Sequence, residues 1–338
     1  MNLSIIIPTK DMSGHLPALW ESLVRSGLAS RAREVIVVND GSTDETRDVL
    51  DRLARSDAHA RLRPLHLERN VGRFHARLLG AEAATSENLL FLDTRLELPS
   101  NFGEALERAA ATHRSIVGSV DIDTRRNTFC LYWDRSHRAI FRKHFKAAHK
   151  PISLTVDNFD EYLKGTTVFY CPKDNFLSAC EDFRESDLLS DDTFLMKKMV
   201  EECPITVHPD VRISWVPRES FGQFLGRIWD RGPGFAEYHI FTHRGVFFYA
   251  TLAGVTAATG VGILMFVLPP VGWSAAALGV GAVAASTALV AHSPKEFVQL
   301  MPLHVATAAT FGAAAVWGTA VNVARKMRRP RASRPLPT

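Results

Sequence analysis

The residues best placed for chemistry are acids at the ends of apolar runs. Asp40 follows Val35-Ile-Val-Val-Asn39, Asp93 follows Leu89-Leu-Phe-Leu92, and Asp191-Asp192 opens Asp-Asp-Thr-Phe-Leu. Open parallel sheets bind ligands in the crevice at the carboxyl ends of their strands, which is where Asp40 and Asp93 would face. Adjacent carboxylates such as Asp191 and Asp192 raise each other's proton affinity, which suits a group that must take a proton. The same pair also suits a cap that answers a helix dipole. Cys130, Cys171, Cys180 and Cys203 are scattered without metal-ligand spacing and read as packed thiols on a reducing face.

The elements that must hold these acids alternate between strand and helix. Leu3 to Thr9 reads as a strand ending at Pro8-Thr9, followed by helical spacing at Leu16, Leu19, Trp20 and Leu23. Val35 to Val38 reads as a strand buried on both faces, and Asn39-Asp-Gly-Ser42 as the turn after it. Ser42 or Thr43 can cap the next helix, with Glu45 in its first turn. Leu62 to Leu67 is a third strand, leading to Asn70-Val-Gly72 and a helix that carries Arg77; Leu89 to Asp93 is a fourth. Gly165 to Lys173 reads as a further strand running into a helix. This order predicts an α/β fold with a doubly wound, mostly parallel sheet of Rossmann-like type. No Gly-x-Gly-x-x-Gly turn follows the first strand, so an NAD-type site is disfavoured.

Taken together, Ile5-Ile-Ile-Pro-Thr, Val38-Asn-Asp-Gly-Ser-Thr-Asp, Asn70-x-Gly72 with Ala76-Arg77, and Phe91-Leu-Asp93 resemble family 2 glycosyltransferases in order and spacing. The likeness runs from about residue 3 to about residue 232. It implies an inverting enzyme on a nucleotide-sugar-binding (GT-A type) domain. In that frame Asp40, with the backbone near Pro8 and Thr9, would hold base and ribose. Arg77 would face the nucleotide and Asp93 the diphosphate. Asp192, the second acid of the pair, would be the general base, with Asp191 beside it. Inverting transfer to a hydroxyl needs such a carboxylate, because the acceptor loses its proton as it attacks.

The chain departs from the family at the metal. The family's Asp-x-Asp is here Asp93-Thr94-Arg95, with Glu97 following. One carboxylate plus diphosphate and water could still hold Mg²⁺ or Mn²⁺, with Glu97, Asp121 or Asp123 as further ligands. Alternatively Arg95 neutralises diphosphate charge directly, or is a solvated surface charge. A second departure lies in Ser220 to Gly232, which is similar to the family's interface helix. Processive polymerases carry Gln-x-x-Arg-Trp there. Aligned on Trp229 and Arg231-Gly232, Leu225 and Ile228 stand in place of Gln and Arg. Trp229 and Arg231 are then acceptor or interface residues, or plain membrane anchors.

Composition divides the chain at about residue 244. Of 338 residues, with formal charge +4, nearly all the acids lie before Arg244. No Asp, Glu, Lys or Arg occurs from Gly245 to Pro294, nor from Phe297 to Ala324. These runs predict membrane segments at about 246–268, 271–291 and 300–324, with Pro269-Pro270 splitting the first run. Gly254, Gly260, Gly262, Gly279 and Gly281 would allow close helix packing. The expected organisation is a catalytic domain at 1–218, an amphipathic interface region at 219–244, a membrane domain at 245–324 and a basic tail at 325–338. The tail reads as an anchor near anionic lipid; without an aromatic platform it does not read as a nucleic-acid site. A cytosolic catalytic domain followed by an odd number of crossings would put this tail outside, against the positive-inside rule.

The expected function is transfer of one sugar from a nucleotide diphosphate sugar to a lipid-linked or envelope-glycan acceptor, at the cytosolic face of the cell membrane. The alternatives are a polyprenyl-phosphate sugar synthase and, from another class, a non-catalytic sugar-binding or scaffold subunit.

Overall fold

The structure, a computed structural model, describes residues 2–57, 61–147, 149–184, 191–243 and 245–328. These fall into two compact units, residues 1–123 with 140–217, and residues 124–139 with the chain from 218 onward.

The first unit is built on one mixed sheet. Its strands are β1 (Leu3–Thr9), β2 (Glu34–Asn39), β3 (Leu62–His66), β4 (Asn88–Leu92), β5 (Leu96–Glu97), β6 (Ile116–Asp121), β7 (Ile152–Leu154), β8 (Val168–Pro172) and β9 (Ile205–Trp215). The order is β3-β2-β1-β4-β8-β6-β9-β5, with β7 also paired to β9. β3, β2, β1 and β4 run parallel. β2 is buried along its whole length, as a strand covered on both faces must be. β8 lies antiparallel to β4, with Leu92 opposite Val168. β6 and β9, which the sequence reading did not anticipate, pair in parallel with a shift between Gly118 and Ser119.

Two glycines of the parallel half answer to packing. A Cβ on Gly80, in the helix Arg73–Ala83, would come within 2.5 Å of the Ile6 side chain, so glycine lets this helix lie against β1. Gly41 has φ +61°, and its Cβ would meet the Arg69 and Asn70 backbone at 2.4 Å. Only glycine fits there without strain. Glu34 ties the base of this half together. Its carboxylate accepts from the hydroxyls of Ser4 and Thr85, the Thr85 backbone N–H and the Arg63 guanidinium. Despite burial, which pushes it up, these donors hold its carboxyl at about 2.

In the second unit, the helices Val246–Val267, Pro269–Val290 and Pro294–Arg328 are each long and apolar enough to cross a membrane. Pro269 and Pro270 open the second of them, where their missing N–H groups cost nothing. A Cβ added to Gly254, Gly260, Gly262, Gly279 or Gly281 would meet nothing within 4 Å, so among the described residues these are not the close-packing sites that the sequence suggested. That role falls to Gly232 and Gly318, where the helix Phe221–Phe235 crosses Pro294–Arg328 so tightly that a Cβ on Gly232 would lie 2.3 Å from the Ala314 carbonyl oxygen. The Asn322 side chain donates to the Pro233 carbonyl at this crossing, 3.0 Å away. Residues 124–139, inside the expected catalytic sequence, group with this unit instead. The Arg135 guanidinium grips Glu296 through both carboxylate oxygens at 2.7 and 2.9 Å.

Candidate active site

The end of β1 and the turn after β2 are laced together by short polar side chains. The Asp40 backbone N–H donates to the Thr9 carbonyl, and Thr94 donates its hydroxyl to the Pro8 carbonyl. Asp11 sits at φ +52° and accepts from the Thr43 N–H at 2.7 Å, while its own N–H donates to the Ser42 hydroxyl. The Asp44 carboxylate accepts from the Ser13 and Thr46 backbone N–H groups, and is held at about 2 by these donors against the opposing effect of burial. Asn39 is oriented by His66, whose other ring nitrogen meets Asp51 at 3.0 Å. Asp11, Asp44 and His66 escaped the sequence reading because their partners, loop backbone atoms for the two acids and the side chains of Asn39 and Asp51 for His66, lie elsewhere in the chain.

Asp40 is buried, and its two oxygens accept from the backbone N–H groups of Val71 (2.6 Å) and Gly72 (3.0 Å). It therefore fixes the start of the helix Arg73–Ala83, which carries Arg77 one turn on. Its oxygens keep further acceptor capacity for a ligand. The Thr9 hydroxyl is buried and has no hydrogen-bond partner among the described residues, so a polar group is owed to it at this end of β1.

Arg77 joins the acids that the sequence had kept apart. It is 3% exposed, and its guanidinium donates to Asp192 at 2.7 Å and lies 3.7 Å from Asp93. Asp93 and Thr167 exchange two bonds. The Asp93 N–H donates to the Thr167 carbonyl, and the Thr167 hydroxyl donates to the Asp93 carboxylate at 3.0 Å. Burial pushes the Asp192 carboxyl up, but Arg77, Arg73 and the Thr166 hydroxyl outweigh it and hold the group below the ordinary carboxylate range. The antiparallel pairing of β4 with β8 thus brings Thr166 and Thr167 to the acids, and no local sequence signal marks them. Asp191 is the first residue of the helix Asp191–Glu202, and its side chain lies outside the described residues.

Arg95 departs from its expected place as a diphosphate ligand or free surface charge. Its guanidinium donates to the carbonyls of Val216 and Pro217, beyond the end of β9, and meets the His15 ring at 3.1 Å. Glu97 lies on β5 opposite Ser214, and Asp121 faces Arg212 at 3.4 Å. Among the described residues no three His, Cys, Asp or Glu side chains gather as a metal cage, so Asp93, Glu97, Asp121 and Asp123 do not form one. An ion at Asp93 would rest on that carboxylate, the diphosphate and water, a set that Mg²⁺ accepts.

Trp229 and Arg231 belong to the second unit. Trp229 is 41% exposed, whereas the Arg231 guanidinium lies over the Trp133 ring, 4.8 Å from its centre.

The first unit is thus an α/β domain with a mixed sheet and acids at the ends of β2 and β4. Residues 4–163 match the family model described as Glycosyl transferase family 2. The chain is similar in sequence to two bacterial proteins named undecaprenyl-phosphate 4-deoxy-4-formamido-L-arabinose transferase. The one from Pseudomonas paraeruginosa is 32% identical over 134 residues, covering 39% of this chain and 38% of the relative. The one from Pectobacterium carotovorum is 30% identical over 129 residues, covering 38% and 39%. The chain thus matches well under half the length of either relative. A mannosyltransferase from Pyrobaculum calidifontis, solved with GDP-Man and Mn²⁺, shares the fold with a TM-score of 0.57 at 17% identity, over 96% of this chain and 88% of that one.

Proposed function

We propose that this protein is a membrane-anchored, inverting glycosyltransferase that moves one sugar from a nucleotide diphosphate sugar to a lipid-linked acceptor at the cytosolic membrane face. The observation that carries this reading is the buried Arg77 set between Asp93 and Asp192, in a chain that also holds helices fit to cross a membrane. Asp40 and the Thr9 hydroxyl would hold base and ribose, and Asp93 would lie at the diphosphate. A divalent ion held by Asp93 would offset diphosphate charge. Residues Thr166, Thr167 and Asp192 would line the acceptor side. Trp229 and the apolar helices would keep the enzyme where a lipid acceptor is concentrated.

One observation favours a particular acceptor. Burial pushes the Asp192 carboxyl up, but Arg77, Arg73 and Thr166 outweigh it and hold the group below the ordinary carboxylate range, which weakens it as a base. A hydroxyl acceptor needs a base, but the phosphate of a polyprenyl carrier is already deprotonated. The names of the similar transferases point the same way.

A two-acceptor assay tests this. Full-length protein in detergent is given a panel of UDP- and GDP-sugars, with either undecaprenyl phosphate or a membrane glycan extract. For a phosphate acceptor, Asp192→Asn should lower transfer by ~10-fold through loss of the Arg77 partner, well short of the roughly 10²- to 10⁴-fold loss of a general base. The larger loss, with transfer confined to the glycan extract, would return the role of base to Asp192. Absence of transfer from every donor, with nucleotide binding intact, would leave the scaffold reading.

A further inference from the structure

We propose that Lys164 is a positioning residue for the acceptor side of the site, acting as a clamp that holds Thr166 and Thr167 against the two acids. This rests on the reading of Asp93 and Asp192 as the reaction site.

The clamp is built from the turn that precedes β8. Phe159–Glu161 forms one 3₁₀ turn, after which the chain runs through Tyr162 to Lys164-Gly165 and into Thr166-Thr167. The Lys164 side chain folds back into this turn and is only 13% exposed. Its ammonium donates to the carbonyls of Phe159 and Tyr162 and lies 4.0 Å above the centre of the Phe159 ring. Phe159 is itself 1% exposed, so the ammonium is anchored to a fixed point of the core. Asp160 stands 3.6 Å away and supplies the nearest opposite charge. Burial pulls the ammonium down to about 8, against the pull of Asp160, as befits a cation enclosed by the turn.

What the clamp positions is set out two and three residues on. Thr167 holds Asp93 by two hydrogen bonds. Thr166 is fully buried, and among the described residues its hydroxyl has no hydrogen-bond partner, though it stands close enough to Asp192 to lower that carboxyl. A buried hydroxyl left this loosely served is costly unless a further partner arrives. A Cβ on Gly165 would meet nothing within 4 Å, so no side-chain packing is prepared between Lys164 and Thr166. The clamp at Lys164 is therefore a restraint close on the amino-terminal side of both threonines.

The test uses full-length protein and two variants, Lys164→Met and Lys164→Arg. Lys164→Met keeps the apolar stem and removes the donors; Lys164→Arg keeps donors and charge. Hydrogen exchange of peptides covering residues 163–170 reads the clamp without reference to activity. Turnover of whichever UDP- or GDP-sugar the wild type consumes reads the site. In Lys164→Met, exchange in this segment should rise ~10-fold, from loss of a charged donor to two carbonyls. Turnover should fall ~10- to 100-fold with donor KM changed by less than ~3-fold, as for an interaction expressed only in the transition state. Lys164→Arg should recover most of both. Unchanged exchange in Lys164→Met would overturn the clamp, whatever the activity. Raised exchange with wild-type turnover, or with donor KM and turnover falling together, would overturn the positioning role while leaving the proposed function standing. A variant that unfolds would show raised exchange throughout; the readout then passes to Lys164→Arg, whose failure to keep wild-type kcat when folded would also overturn the clamp.

Discussion

The two halves of the sheet in the first unit obey different rules. From β3 to β4 the strands are parallel, each joined to the next through a helix, and the polar anchors between them are mostly side chain to backbone. From β8 onward, strands distant in sequence pair in both directions, and at the join two side chain to side chain bonds, Arg77 to Asp192 and Thr167 to Asp93, gather the acids. The first half gives a fixed cradle whose acids face backbone N–H groups. The second brings two threonines and Asp192 to a cation and an acid, Arg77 and Asp93, already in place. A binding surface can be made by repeating one local motif, but the place where two substrates meet needs contacts between distant segments.

Breaking the join should have the largest effect on transfer. Arg77→Met leaves Asp93 and Asp192, both partly exposed, without the buried cation between them, and stability should fall by roughly 1–2 kcal/mol, the range of a lost charge-assisted hydrogen bond. Transfer should fall below detection, and denaturant unfolding should show the loss of stability. A variant as stable as wild type would mean that the two acids are held apart by other contacts, and the contrast between the halves would fail.

Glu34 probes the parallel half. Its folded pKa of about 2 lies below the ordinary value of 4.5, so its contribution is fully present above pH 4.5 and is lost as pH falls towards 2. The shift corresponds to roughly 3 kcal/mol at neutral pH. Glu34→Gln should lose a large part of that at pH 7, approach wild-type stability near pH 2.5, and leave the kinetics of the remaining folded enzyme unchanged. Urea midpoints measured at several pH values check this, and a pH-independent difference would remove Glu34 from the account.

Gly41→Ala should cost about 2 kcal/mol, the typical strain of a non-glycine residue held in left-handed backbone. Because the Asn39–Ser42 turn leads to Asp40, donor KM should also rise, in contrast to Lys164→Met. Equal KM in wild type and Gly41→Ala would detach this turn from the donor.

The smallest effect is expected at Arg95. Losing its bonds to the Val216 and Pro217 carbonyls should cost roughly 1 kcal/mol, within the range of a few partly exposed hydrogen bonds. Donor KM for Arg95→Ala should stay within ~3-fold of wild type, since the guanidinium is spent on backbone; a direct phosphate contact would instead be worth ~10-fold or more. A large rise in KM would restore Arg95 to the diphosphate.

By itself the sequence determined the parallel half, the apolar helices and the acids at strand ends. Those features are local. Burial on both faces writes continuous apolar runs such as Val35 to Val38, a turn such as Asn39 to Ser42 needs its own residue types, and a membrane segment needs about 20 uncharged residues in a row. Even the identity of Asp192 as a residue of interest was legible, because acids at a helix start stand out in one dimension. The tertiary structure alone decided what surrounds these residues. It turned Arg95 towards the carbonyls after β9, set Arg77 between Asp93 and Asp192, and moved residues 124–139 into the second unit. It also chose Gly232 and Gly318 over the five glycines of the apolar runs as points of close packing. The reason is the same in each case. A charge is steered by the nearest partner in space, and a glycine matters only where another backbone arrives, and both depend on the pairing of segments far apart in the chain.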